Sequence, residues 1–212
     1  RPAPRRGELV SRLGLEGAFT FGYVSNLDHP REGQELLVEA VRLLRQRGVD
    51  ATALVVGGGT REDELRALAH HRGVADAVVF TGYVEHAQIG DYYALLDVFV
   101  VPRIDERAAR LVTPLKPYEA MAMELPVVVS DLPALLEIVG DGSRGRSFPA
   151  GDVSALADVL ADLAGAPEER DRLARAGRAW VLEHRTWRSA AARYAEVYRT
   201  ALARPVVDGQ PG

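Results

Sequence analysis

Short apolar runs rich in valine recur along this chain, and stretches of helical periodicity lie between them. That alternation constrains the fold more than any other feature. Phe19 to Val24, Ala51 to Val56, Ala77 to Thr81, Asp97 to Val101 and Val127 to Val129 read as strands. They are nearly continuous in apolar character rather than alternating, as strands buried on both faces are. Gln34 to Arg47 reads as a helix with Leu36, Leu37, Ala40, Val41 and Leu44 on one face, stopped by Gly48. Arg61 to Arg72, His86 to Leu95 and Pro133 to Val139 are helical, and Arg146 to Phe148 is an edge-like sixth strand. Three helices follow, 152–163, 167–184 and 187–203. Strands and helices in this alternation imply βαβ units with right-handed crossovers. The expected fold class is α/β, a doubly wound parallel sheet of Rossmann-like kind in three α/β/α layers. Residues 1–17 are expected to form a linker or lead-in helix, 18–204 the folded domain, and 205–212 a disordered tail.

In such a sheet ligands gather beyond the carboxyl ends of the strands. The loops that begin at Ser25, Gly57, Gly82, Pro102 and Ser130 are expected to meet one crevice there. The stretch LVTPLKPYEAMAMELPVVVSD, Leu111 to Asp131, adds a loop, a helix and the Val127 strand. Thr113 is the expected helix cap and Pro114 the first-turn proline. A helix start offers free N–H groups and the positive end of a dipole to an anion. Lys116 is the only lysine among 26 lysines and arginines. A point charge with rotatable donors suits a phosphate, although a solvated surface lysine explains it equally well. Glu119, one turn on, can face the same ligand. Gly57-Gly58-Gly59 lets the backbone approach a phosphate or another loop. It lacks the GxGxxG spacing, so turn geometry explains it about as well.

A net charge of −4 argues against general nucleic-acid affinity. With no cysteine there is neither a disulfide framework nor a Cys-based metal site. His29, His70, His71, His86 and His184 are scattered without metal-ligand spacing, so no metal site is expected. His86 stands beside the loop leaving the third strand, where helix capping explains it at least as well as ligand contact. No apolar run reaches the roughly 20 residues that span a bilayer. The first residue is Arg1, which suggests a piece of a longer protein.

Six segments stand in a telling order. They are FTFGYVSNL, LVVGGGTREDEL, VVFTGYVEHAQIGDYYALLDVFVVP, PLKPYEAMAMELPVVVSDLPALLEIVGDG, FPAGDVSALADVL and the Trp187 helix. Together, over about Leu9 to Ala203, they resemble the C-terminal, donor-binding domain of GT-B glycosyltransferases of the retaining group called family 4. The resemblance implies a hexosyltransferase of glycan biosynthesis, and the arginine and alanine usage suggests a bacterial origin. It implies no separate cofactor, the substrate being a UDP-, GDP- or ADP-sugar. Glu119 matches the second glutamate of the family's E-x7-E motif, which holds the ribose hydroxyls. Tyr83 and Val84 match the loop at the nucleobase. Val112, Thr113 and Leu115 match the helix start at the pyrophosphate, with Gly57 and Gly58 nearby. Lys116 and Glu119 are the expected catalytic pair.

Three positions depart from the family. Leu111 stands for the first glutamate, Asn26 for an arginine and Glu32 for a lysine, with Arg31 adjacent. In the family these positions grip the diphosphate and the transferred sugar. A subgroup with Pro-Leu-Lys-Pro in this place resembles the chain more closely, and there Lys116 supplies the cation. Arg103, Arg107 and Arg110 approach the same crevice, a solvated charged loop being the favoured reading of each. With no Asp-x-Asp motif, transfer is expected to be metal-independent. The acceptor, a glycan, lipid or small molecule, is expected to reach the donor through an N-terminal domain outside the chain, so the fragment is expected to be inactive alone. Tyr194 and Tyr198 are expected to face the core, with the boundary of that domain as the alternative. The expected location is cytoplasmic, with membrane association through the N-terminal part. Two competing readings are a non-catalytic module that binds a nucleotide or partner protein, and a GT-B-like sugar-nucleotide epimerase.

Overall fold

Runs of valine, leucine and alanine become central strands because both faces of the sheet they form are covered. The computed structural model describes residues 2–202, apart from the side chains of 187–190, 192, 193, 196 and 201. The strands are β1 (Phe19–Val24), β2 (Ala51–Val56), β3 (Val78–Phe80), β4 (Val98–Val101), β5 (Val127–Ser130) and β6 (Arg146–Phe148). All pair in parallel, in the order β3-β2-β1-β4-β5-β6. The order reverses between β1 and β4, which is the doubly wound arrangement expected. Register runs Phe21↔Ala53 on one side and Phe21↔Val98 on the other. β2, β4 and β5 are buried along their whole length. β3 is shorter than expected, because Ala75–Ala77 winds into a 3₁₀ turn before the ladder begins.

The helices are α1 (Gly7–Leu13), α2 (Gln34–Gln46), α3 (Glu62–His71), α4 (Ile89–Tyr93), α5 (Arg107–Leu111), α6 (Lys116–Ala122), α7 (Pro133–Val139), α8 (Val153–Gly165), α9 (Pro167–His184) and α10 (Trp187–Leu202). α2 buries Leu37, Val38, Ala40, Val41 and Leu44, and it packs on β2 and on α8. Each such leucine contributes roughly 1.5–3 kcal/mol by leaving water. Asp152 caps α8, its Oδ1 accepting from Ala155 N at 3.0 Å. α6 packs on α9. In the lead-in segment Leu9 and Leu15 are buried. The expected tail, 205–212, lies outside the described residues.

Three expectations are corrected. The loop after β4 contains a helix, α5, whose single turn is too short to show periodicity in sequence. Thr113 does not cap α6: the helix begins at Lys116 after Leu115, with no side-chain cap, and Pro117 rather than Pro114 sits in its first turn. Pro114 disfavours a helical conformation for the residue before it, so Thr113 stays outside the helix. Pro117 fits because its missing N–H is one that a first turn leaves unpaired. The first helical bond runs from Glu119 N to Leu115 O at 3.1 Å. Tyr194 and Tyr198 do not face the core, since both are exposed on α10.

α6 ends in a Schellman arrangement. Leu125 N donates to Ala120 O at 3.1 Å and Glu124 N to Met121 O at 3.0 Å. The left-handed position is held by Glu124, with φ 63°, where glycine is the usual choice. A left-handed L-residue costs roughly 1–2 kcal/mol. The contact of Glu124 with Arg178, at 3.6 Å on half-exposed side chains, returns little of that. Glu124→Gly is therefore expected to raise unfolding stability by about 1 kcal/mol in urea titration; a loss of stability contradicts the account.

Candidate functional site

The crevice is built from loops that lean on one another. The loop after β1 turns where Asn26 Oδ1 accepts from Asp28 N at 2.6 Å. Asp28 Oδ1 in turn accepts from Thr60 N at 2.7 Å, in the loop after β2. Leu27 N donates to Gly58 O, and Arg61 N to Leu27 O, each at 3.1 Å. The glycine triplet permits this approach. A Cβ on Gly57, where φ is 126°, would lie 2.1 Å from Ser25 O. One on Gly59 would lie 2.6 Å from the Leu27 carbonyl carbon. The need for glycine is thus met by a neighbouring loop. Thr81 Oγ1 accepts from Gly57 N at 3.2 Å and joins the third loop to the other two.

These loops surround a cavity of about 310 Å³ at the carboxyl ends of β1 and β2. Gly57, Gly58, Tyr83, Val84 and Lys116 all line it, and so does Asn26. Tyr83 is 78% exposed, whereas Val84 is buried. Val112, Thr113 and Leu115 are not part of this lining; they form the link between α5 and α6. The Val112 N–H is engaged as well, donating to Ala108 O at 3.0 Å. His86 is exposed and does not line the cavity.

Lys116 and Glu119 meet as the helical spacing requires. Lys116 Nζ lies 3.2 Å from Glu119 Oε2, on side chains 34% and 41% exposed. Tyr93, at the end of α4, donates its hydroxyl to the same Oε2 at 3.0 Å. Sequence reasoning missed Tyr93, because nothing local in DYYALLD points to a carboxylate on another helix.

Arg103 overturns its expectation. It is 8% exposed and is not a solvated loop residue. Its Nε and Nη2 donate to Glu32 Oε2 and Oε1 at 3.1 and 3.0 Å, and its Nη1 donates to Val112 O at 3.0 Å. Tyr23, also buried, donates to Glu32 Oε2 at 2.5 Å. Burial by itself would push the Glu32 carboxyl up. The Tyr23 hydroxyl and the Arg103 guanidinium outweigh it and hold the carboxyl below the usual carboxylate range. Burial, with the charge of Glu32, pushes the Tyr23 phenol well up, so it remains a donor. Glu32 and Arg103 thus neutralise each other and tie the loop after β1 to the segment leading into α6. No local signal could have shown this, because the partners are 71 residues apart.

Arg110 pairs with Asp105, and both line an open cavity of about 530 Å³ with Arg107 and Leu111. Leu111 is 71% exposed. A larger cavity, about 710 Å³, lies at the opposite end of the sheet. Its charged groups serve the fold: Arg5 faces Asp97 at 3.6 Å, and Arg170 donates to the last carbonyls of α8. Among the described residues, no three His, Asp or Glu side chains gather as a metal would need. No helix among them is long and apolar enough to cross a membrane.

A parallel doubly wound sheet of this order, with its crevice at the switch in strand direction, has the architecture of the C-terminal half of a GT-B glycosyltransferase. A family model described as Glycosyl transferases group 1 matches residues 18–165, and the chain belongs to that family. The GDP-mannose-dependent alpha-(1-6)-phosphatidylinositol monomannoside mannosyltransferase of Mycolicibacterium smegmatis is 35% identical over 194 residues, covering 91% of this chain and 50% of its own length. The lipopolysaccharide core biosynthesis mannosyltransferase of Rhizobium meliloti is 34% identical over 184 residues, covering 83% and 49%. The chain spans about half the length of these relatives. Sucrose-phosphate synthase from Thermosynechococcus elongatus superposes with a TM-score of 0.78 at 26% identity, over 94% of this chain and 50% of its own. The C-terminal domain of a glycosyl transferase group 1 family protein from Francisella tularensis has the same fold, with a TM-score of 0.72 at 24% identity over 86% and 93% of the two chains.

Proposed function

We propose that this chain is the donor-binding half of a glycosyltransferase that uses a nucleoside-diphosphate sugar. The carrying observation is the convergence of Gly57, Gly58, Tyr83, Val84 and Lys116 on one cavity at the carboxyl ends of the strands, with Glu119 bonded to Lys116. Tyr83 and Val84 meet the base, Glu119 accepts from the ribose diol, and Lys116 faces the diphosphate. A carboxylate with one oxygen open to solvent suits a cis-diol. The mycobacterial relatives are named GDP-mannose-dependent, which makes a GDP-hexose the favoured donor. Transfer proceeds with retention and without a metal, the leaving charge being carried by Lys116 and nearby N–H groups. The acceptor, a glycan, lipid or small molecule, is presented by the other half of a longer cytoplasmic or membrane-associated protein. This half alone binds donor without efficient transfer.

Calorimetric titration of the chain with GDP, UDP and ADP in a chelator tests the reading. Micromolar binding of GDP above the other two is expected. Binding by none of the three overturns it. One observation favours a second reading, a non-catalytic nucleotide-binding module: neither Asn26 nor Glu32 presents a cation to the crevice, and Glu32 is consumed by Arg103. A longer protein that binds GDP-sugar yet neither transfers nor hydrolyses it supports that second reading.

A further inference from the structure

The two donors on Glu119 differ in kind. Lys116 reaches Oε2 from the cavity side, along the surface of α6, on a side chain 34% exposed. Tyr93 reaches the same atom from beneath and is itself 2% exposed. The Tyr93 ring lies 5.4 Å from Phe99 on β4, whose ring lies 5.7 Å from Tyr23 on β1. Burial and the charge of Glu119 push the Tyr93 phenol well above its ordinary value, so its proton stays in place for donation. One donor is therefore held against the central strands, and the other is a partly exposed ammonium on the cavity side. Both bonds fall on Oε2, which leaves Oε1 available on a side chain 41% exposed.

We propose that Tyr93 is a positioning residue of the donor site: its buried hydroxyl anchors Glu119 Oε2, so that Oε1 is presented to the ribose diol. The inference rests on the donor-site reading above. Its chemistry is a division of labour. A buried neutral donor keeps a carboxylate oriented without competing for the anion, whereas an ammonium shared between the carboxylate and the diphosphate must leave one for the other. Rotamer freedom removed before binding is not lost on binding.

The test compares GDP with its 2′,3′-dideoxy analogue, by calorimetry on wild type, Tyr93→Phe, Glu119→Ala and the double variant. Tyr93→Phe keeps the ring and its packing. It is expected to weaken GDP binding about fivefold to tenfold, to leave the dideoxy analogue unchanged, and to add nothing to Glu119→Ala, which has no acceptor for the hydroxyl. Lys116→Met is expected to weaken GDP and the dideoxy analogue alike. Equal weakening of both ligands by Tyr93→Phe assigns the tyrosine a merely structural role and overturns the proposal. Undiminished GDP binding by Tyr93→Phe overturns it too, and leaves the donor-site reading standing. A wild type that binds neither ligand fails the donor-site reading itself, and the proposal with it.

Discussion

Glu32→Ala is expected to lower the unfolding free energy by about 3–5 kcal/mol, the range for removing one partner of a buried ion pair. The substitution strands the Arg103 guanidinium, 8% exposed, with one remaining bond, to Val112 O. It also deprives the buried Tyr23 hydroxyl of its acceptor. Both groups then carry their desolvation cost without compensation. Arg103→Ala is expected to cost a similar amount, for the mirrored reason that Glu32 is left charged and buried. The double variant Glu32→Leu/Arg103→Met restores apolar volume and removes both charges. It should be more stable than either single truncation, which urea denaturation of all four proteins will read. Additive losses would falsify the pairing.

Acid should act on the same pair. The folded carboxyl of Glu32 is held low, so its contribution is fully present above the unfolded value of roughly 4.3 and is lost as pH falls through the folded value. The stability gap between wild type and Glu32→Gln should therefore be widest above about pH 5 and close on acidification. A gap that widens in acid contradicts this assignment.

Glu119→Ala should be the most damaging single change to nucleotide affinity. Loss of two charge-assisted hydrogen bonds to the ribose costs about 2–4 kcal/mol, or roughly 30- to 700-fold in Kd. Part of any loss comes from reorganisation, since the truncation also frees Lys116 and leaves the Tyr93 hydroxyl without its acceptor. Glu119→Gln keeps an acceptor for Tyr93 and separates the two contributions. If the alanine variant binds GDP as wild type does, the ribose lies elsewhere.

The strands most legible in the sequence were β2 and β5, because ATALVV and VVVS are buried on both faces and have no polar alternation to confuse the reading. β3 was read too long, since backbone winding at Ala75–Ala77 leaves no mark on hydrophobic pattern. Helix α5 was missed because RAARL offers a single buried residue, Ala109, and one turn has no period. The start of α6 was placed at Thr113 on capping preference. Pro114 keeps Thr113 out of the helix, and Pro117 is accommodated in the first turn because its missing N–H is one that turn leaves unpaired.

At the site, the gathering of Gly57, Tyr83 and Lys116 followed from topology: a parallel sheet brings its carboxyl-terminal loops together wherever they fall in the chain. What the glycines touch did not follow, and the answer was Ser25 and Leu27.

By itself the sequence determined the fold class, the order of the strands along the chain and the ends at which their loops gather, because hydrophobic period and turn residues are local properties. It also brought Lys116 and Glu119 together, because one helical turn separates them. Only the tertiary structure decided that Arg103 belongs to Glu32 and that Tyr93 belongs to Glu119. In an extended chain these groups are solvated and far apart. Packing of loops and helices around the sheet takes water from Arg103, Glu32 and Tyr93, and the choice of partner then rests on geometry that no local pattern carries.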